Sequence, residues 1–356
     1  MENMKNTNQD LENLADEFIS NSPDFYKDTS LGYIDKKHSE VISQAYKEFD
    51  VSRFRNFRSW QKQDDLGCPA SFSLKRGWGR GILNPLLRKA FRRKKERILK
   101  QTYLDDLAMI RSIGAEELLR ENPVDLTPGV TSFYKVDGLS ANSRWLRYIY
   151  LAKRILDLRI LDRDAVWIDI GSYYGGLQGL VKRYSPDCNI ILVDFHHQLC
   201  RSYLYLKSLY PNSIHVFPNE LGNLDSVLYS SIGSFFYVPV SDFSAVENLN
   251  ATLATNFFSF GEMKREKFLE YFGSRVVSRS RYSYFVNRFI SSPWFEPTYD
   301  SDLTIKDYLR GDRSLEYFDV FAMHHYQLIN RPLFGREGFR NISSSYFELI
   351  TKAPAS

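Results

Sequence analysis

Between residues 143 and 210 the apolar positions alternate between two periods. Trp145, Ile149, Ala152, Ile155 and Leu156 recur three or four apart, which predicts an amphipathic helix with Ser143 as its N-cap. Residues 165–170 (AVWIDI) then form a short, nearly continuous apolar run, the pattern of a strand buried on both faces. GSYYGG breaks that run, and LQGLVKRY returns to helical spacing. Ser185-Pro186-Asp187 predicts a turn into a second apolar run, 189–194 (NIILVD), with a helix over 197–210. Strands alternating with helices predict a mostly parallel sheet with helices on both faces, an α/β Rossmann-like fold. Further strands are predicted at 213–217, 235–240, 251–256 and 282–288, with a last pair within 315–330.

The first 130 residues read differently. Residues 1 to about 70 are polar and helical in pattern, a helix is predicted from about 84 to 120, and 121–140, with two prolines and two glycines, reads as a connection. The predicted division is a helical extension over 1–130 and a main domain over 131–356. Composition changes this picture only through charge. The net charge is +4, yet 73–101 holds eleven Lys and Arg against the single acid Glu96, a local charge of +10. Leu83, Leu86, Leu87, Ala90, Phe91 and Ile98 interleave with it at helical spacing. Such a segment is either a solvated helix face or a peripheral contact with an anionic membrane or a lipid-linked substrate. Nucleic acid is the weaker reading, because no aromatics alternate with the basic residues to stack on bases. No apolar run reaches the 18 to 20 residues or so of a membrane span. The polar N-terminus lacks the order of a secretory signal, and Cys68, Cys188 and Cys200 show no CxxC spacing. A cytoplasmic location is expected, at most peripheral to the inner face of the membrane, and no metal is predicted.

The chemistry concentrates where the first strand meets GSYYGG. A glycine turn there brings backbone N–H groups and a helix N-terminus to a ligand. Asp194, at the end of the next strand, suits ribose hydroxyls. A dinucleotide fingerprint needs glycine where this loop has Tyr173, and Asp169 beside the loop would repel a pyrophosphate. An ammonium and a sulfonium suit that acid better. Asp169-Ile-Gly-Ser-Tyr-Tyr-Gly-Gly176 therefore resembles motif I of the class I S-adenosylmethionine methyltransferases, from whose commonest pattern the Tyr-Tyr pair departs. Asn256-Phe-Phe-Ser-Phe-Gly-Glu-Met263, Ser143-Arg-Trp-Leu-Arg-Tyr148 and Tyr284-Phe-Val-Asn-Arg288 are similar to a family of sugar O-methyltransferases within that superfamily, over roughly residues 130 to 335.

The resemblance implies S-adenosylmethionine as cofactor and a sugar hydroxyl as acceptor, in a surface glycan or a nucleotide- or lipid-linked precursor. The backbone of Gly171, Ser172, Tyr173 and Gly175 would cradle the methionine end, with Asp169 at its ammonium and Asp194 at the ribose. Asp242 would meet the adenine, or else cap the helix that follows. Asn256 belongs to the same set, and Arg147 either pairs with the cofactor carboxylate or is merely solvated. His196 and His197 would flank the adenosine. A sugar hydroxyl needs a general base. Glu262 is the carboxylate the resemblance places there, and His324 and His325 are the other candidates. A nucleic-acid methyltransferase and a catalytically silent cofactor-binding scaffold are the competing functions. The oligomeric state is left open.

Overall fold

The computed structural model describes residues 8–23, 25, 100–127, 133–224, 228, 231–291, 303–324, 327–333, 336–342 and 346–354. These fall into two compact units. The basic segment 73–101 lies outside the described residues except at its last two positions.

The first unit is built on 154–321, with 8–25 and 346–354. Its eight-stranded sheet runs in the order β11-β14-β8-β7-β3-β4-β6-β5. The strands are β3 (Val166–Ile170), β4 (Asn189–Asp194), β5 (His215–Val216), β6 (Phe235–Pro239), β7 (Leu253–Phe257), β8 (Tyr282–Arg288), β11 (Ser314–Val320) and β14 (Tyr346–Lys352). β3, β4, β5, β6, β7 and β8 are parallel, and β14 is antiparallel to both its neighbours. Ile168 pairs with Ile191 on one side and Ala254 on the other, so the two runs read from the sequence lie side by side. Every residue of β3 and β6 is buried, the reason those strands read as continuous apolar runs. This is the doubly wound α/β sheet expected from the pattern.

Two expectations are corrected here. The last pair of sheet strands is not confined to 315–330, because β14 returns from 346 to sit between β8 and β11. The N-terminal helix Asn8–Ser20 is not separable from the sheet unit. Its Phe18 packs against Tyr203, Phe217 and Tyr237 at ring-centroid distances of 5.6 to 6.0 Å, and Glu17 accepts the Tyr203 hydroxyl at 2.5 Å. A single cut at residue 130 therefore does not describe the chain.

The second unit holds 100–153 and 322–342. Residues 100–112 are helical, and Gly114 at φ 70° ends the run, with the Ala115 N–H returning to the Ile110 carbonyl at 2.9 Å. The helix predicted to 120 is thus broken, and a new one begins at Glu116. β1 (Tyr134–Val136) and β2 (Leu139–Ala141) form a hairpin across Asp137-Gly138, both with positive φ, the geometry of a two-residue turn that matches strand twist. β12 (Gln327–Leu333) and β13 (Arg336–Ile342) form a second hairpin; in the first unit the short β9 (Ile290–Ser291) and β10 (Leu303–Thr304) pair with each other. The helix Ser143–Asp157 is capped by Asn142 rather than Ser143. The Asn142 side chain accepts the Trp145 N–H at 2.9 Å, while Ser143 is the first helical residue.

Phe18→Ala is expected to destabilise the sheet unit by about 3 to 5 kcal/mol, the usual cost of emptying a buried phenyl site. Urea denaturation followed by tryptophan fluorescence measures it, and a loss near zero would detach the N-terminal helix from the fold.

Candidate functional site

The sheet reverses its winding between β3 and β7, and the crevice outside the carboxyl ends of such strands is where this fold binds ligands. The loop after β3 forms one side. The Gly171 and Ser172 N–H groups both donate to the Val193 carbonyl, at 2.8 and 3.3 Å. Gly171, Tyr173 and Gly175 have φ of 79°, 55° and 82°. Tyr173 pays a steric cost for that left-handed backbone. It is held there by two bonds: its N–H donates to Asp194 Oδ2 at 2.7 Å, and its carbonyl accepts the Ser202 hydroxyl at 2.6 Å. The Gly175 N–H returns to the Ser172 carbonyl at 3.4 Å. The expected cradle of outward N–H groups is therefore corrected: those of Gly171, Ser172, Tyr173 and Gly175 are spent inside the chain. What the loop turns to a ligand is fixed shape, together with the Ser172 hydroxyl, which is buried without a hydrogen-bond partner.

Asp194 anchors this loop from β4. Its Oδ1 accepts the Phe195 N–H at 2.8 Å and its Oδ2 the Tyr173 N–H. These two bonds orient the carboxylate. Asp169 is placed differently. It is 2% exposed and accepts the Thr255 hydroxyl at 2.6 Å and the Gln178 amide. Thr255 in turn accepts the Trp167 indole N–H at 2.8 Å. Burial, reinforced by the nearby Asp194 charge and opposed by the two hydrogen bonds, pushes the Asp169 carboxyl up to about 7. Asp169 thus supports the loop from beneath, and a direct grip on a ligand ammonium does not fit its burial.

The other side is built after β7. Asn256 Nδ2 donates to the Ile170 carbonyl at 2.6 Å and to Ser259 Oγ at 2.5 Å. Its Oδ1 accepts the Phe260 N–H and Asn287 Nδ2, both at 3.0 Å. Asn256 is fully buried, so its expected place among ligand contacts becomes a positioning role. Ser259 fills the space over Gly171: a Cβ on that glycine would stand 2.2 Å from Ser259 Oγ. Glu262 ends the short turn Phe260–Glu262 with its side chain 45% exposed, and Arg288 Nη2 lies 3.7 Å from it. Ser259, Asn287 and Arg288 were given no role from the sequence. The signal was their position inside the two stretches that carry the family resemblance.

The remaining candidates are scattered. Asp242 lies in the 3-10 segment Val240–Ala245, so the α-helix it was expected to cap does not form. His196 is buried at the start of the helix His196–Leu209, and His197 stacks on Phe195. Burial, then the Arg201 and His196 charges, pull the His197 imidazole down to about 3, which keeps it neutral and unsuited to act as a base at pH 7. In the second unit Arg147 is only 4% exposed, which overturns the solvated reading, and its Nη1 donates to the His324 carbonyl at 3.2 Å. His324 Nδ1 meets the buried Asp106 at 2.8 Å, and that hydrogen bond raises the imidazole pKa. His325 lies outside the described residues.

The chain is similar in structure to the small RNA methyltransferase HEN1, at 14% identity and a TM-score of 0.36, over 64% of this chain and 27% of that one. It is also similar to TrmK of M. capricolum in complex with S-adenosyl-homocysteine, at 10% identity and 0.30, over 58% and 68%. A third is precorrin-6y C5,15-methyltransferase from Geobacter metallireducens, at 13% and 0.28, over 56% and 88%. The chain spans little more than a quarter of the first of these. No protein-family model and no curated protein matches it. The fold assignment stands on the strand order and register described above.

Gly171→Ala is expected to cost about 1 to 3 kcal/mol, since the new methyl meets Ser259 and the φ is left-handed; an unchanged melting temperature would refute the contact. Asp169 sets a pH dependence. Its folded pKa is raised, so the stability it contributes is present below about pH 4, the unfolded value, and is lost as pH rises through about 7. Asp169→Asn is expected to flatten the melting temperature over that window and to raise it at pH 8. A parallel profile for the two proteins would remove the assignment.

Proposed function

We propose that the chain is an S-adenosylmethionine-dependent methyltransferase whose acceptor is a sugar hydroxyl. The observation that carries the cofactor reading is the joint between Asp194 and the Tyr173 N–H. It locks a glycine loop after β3 to an acid at the end of β4, the pairing that suits the ribose of an adenosine. The residues present fit that group. Asp194 stands at the end of β4, where it would meet the diol, and the buried Ser172 hydroxyl offers one further polar contact. The loop's inward N–H groups and Tyr173 fit a dinucleotide pyrophosphate poorly. The methyltransferases to which the chain is similar in structure agree with this reading in kind.

When bound, S-adenosylmethionine supplies an electrophilic methyl carbon on a sulfonium. Held by Asp194 and the Ser172 hydroxyl, it would supply that methyl to the acceptor oxygen, whose hydroxyl proton would pass to a base. Glu262, half-exposed in the turn after β7, is the carboxylate that would take it. The sugar acceptor rests on the resemblance of 256–263 and 284–288.

Calorimetric titration with S-adenosylmethionine tests the cofactor. Saturable binding is expected for the natural chain, reduced at least about tenfold in Asp194→Ala by loss of charge-assisted hydrogen bonds. Binding of NAD in its place would overturn the reading.

A further inference from the structure

Nothing in the proposed methyl transfer uses Arg288, a buried charge of the sheet unit. It closes β8 at the carboxyl edge of the sheet and is 6% exposed. Its Nε donates to the Tyr346 hydroxyl at 3.1 Å. Its Nη2 is buried and has no hydrogen-bond partner. The acid paired with it, Glu262, stands 3.7 Å from Nη2, too far for a hydrogen bond, and is itself half in solvent.

A guanidinium withdrawn from water pays a desolvation cost that only good hydrogen bonds to an anion repay. Other arginines of this unit meet a carboxylate at hydrogen-bond distance. Arg154 Nε meets the fully buried Glu348 at 3.0 Å, and Arg265 meets Asp307 at 2.5 Å. Arg288 is held in place by Tyr346 but left short of an acceptor. Its surroundings are aromatic. Tyr346 lies 5.4 Å from Phe258, and Phe258 lies 5.5 Å from Phe321. Phe258 itself has φ 69°, a conformation a phenylalanine adopts only under constraint, fixed by its N–H to the Val286 carbonyl at 2.8 Å. Strain, an unfilled donor and aromatic faces therefore meet at the ends of β7 and β8.

We propose that Arg288 is the subsite for an anionic group on the acceptor, a carboxylate or a phosphate ester, so that the acceptor is an acidic or phosphorylated sugar. This deepens the sugar-hydroxyl reading and rests on it. Guanidinium pairs with either anion through a planar fork, which a neutral sugar cannot engage as strongly. Glu262 competes with the ligand for the same Nη2.

The test titrates the full chain, without cofactor, with glucuronic acid, glucose 1-phosphate and glucose. At least one anionic sugar is expected to bind roughly tenfold more tightly than glucose, and whichever does names the group. Arg288→Gln is expected to erase the difference. Because that variant removes a buried charge and can fail to fold, Glu262→Gln gives an independent reading at an exposed position. It is expected to tighten the anionic sugar several-fold relative to glucose. Equal affinities in the natural chain, no binding of any probe, a preference that survives Arg288→Gln, or an anion affinity that Glu262→Gln leaves unchanged or weakens would each overturn the subsite. The methyltransferase reading fails separately: an Arg288-dependent anion preference in a chain that does not bind S-adenosylmethionine would keep the subsite and discard the methyl donor.

Discussion

The site depends on how one buried amide closes the gap where the sheet changes direction. β3 and β7 diverge in connection at this point, and the loops beyond them have no ladder to hold them together. Asn256 supplies the missing bonds. It donates to the last carbonyl of β3 and to Ser259, and it accepts from the backbone after β7 and from Asn287 on β8. Asn287 then accepts the Gly261 N–H at 3.2 Å. Two amides thus tie three strand ends and the turn that carries Glu262 into one network. Such a network is costly to leave half-made in a low-dielectric interior, which is why it specifies a single arrangement.

The buried charges of the sheet unit separate by how well they are repaid. Glu348 on the antiparallel β14 accepts Arg154 and the Tyr284 hydroxyl, the latter at 2.7 Å, and Arg154 also lies 3.9 Å from the centre of the Tyr317 ring. That group is structural. Asp169 is satisfied by a hydroxyl and an amide but by no cation, so its proton is retained to near neutral pH. Arg288 is the third kind, fixed at Nε and unmet at Nη2. Placed side by side, they distinguish a charge that builds the fold from one that the fold holds in readiness.

The succession of strand, glycine loop, helix, strand and acid was legible because burial on both faces makes a parallel strand read as an uninterrupted apolar run, as in β3 and β4. β14 was not legible for the opposite reason. Glu348 interrupts its apolar residues, and the partner that neutralises it is 194 residues away. The cap of the helix Ser143–Asp157 was misread by one position because Asn142 and Ser143 are both good caps, and only the backbone tells them apart. The N-terminal helix looked like a polar extension because its charges outnumber the few residues, Ala15 and Phe18 among them, that it buries. Within the site, Asp194 was found where its spacing put it. Asn256 was named but in the wrong role, since a sequence shows that an amide is present and not that both its ends are already bonded.

The glycine loop carries the most general consequence. Read from the sequence, Gly171 makes room for a ligand. In the fold its missing side chain makes room for Ser259, so that the loops after β3 and β7 can meet. Its N–H, like that of Ser172, faces Val193. A glycine at this position is therefore required by the closure of the sheet whether or not anything binds beside it, and by itself says nothing of the ligand. The discriminating residues are those whose conformation is expensive or incomplete without a further reason. Tyr173 is left-handed and pinned by an acid at the next strand end; Phe258 is left-handed at the opposite strand end; Arg288 is buried with a donor to spare. Tyr173, Phe258 and Arg288 stand at the ends of β3, β7 and β8, where the sheet reverses, and it is there, rather than on the glycine motif, that the proposed site rests.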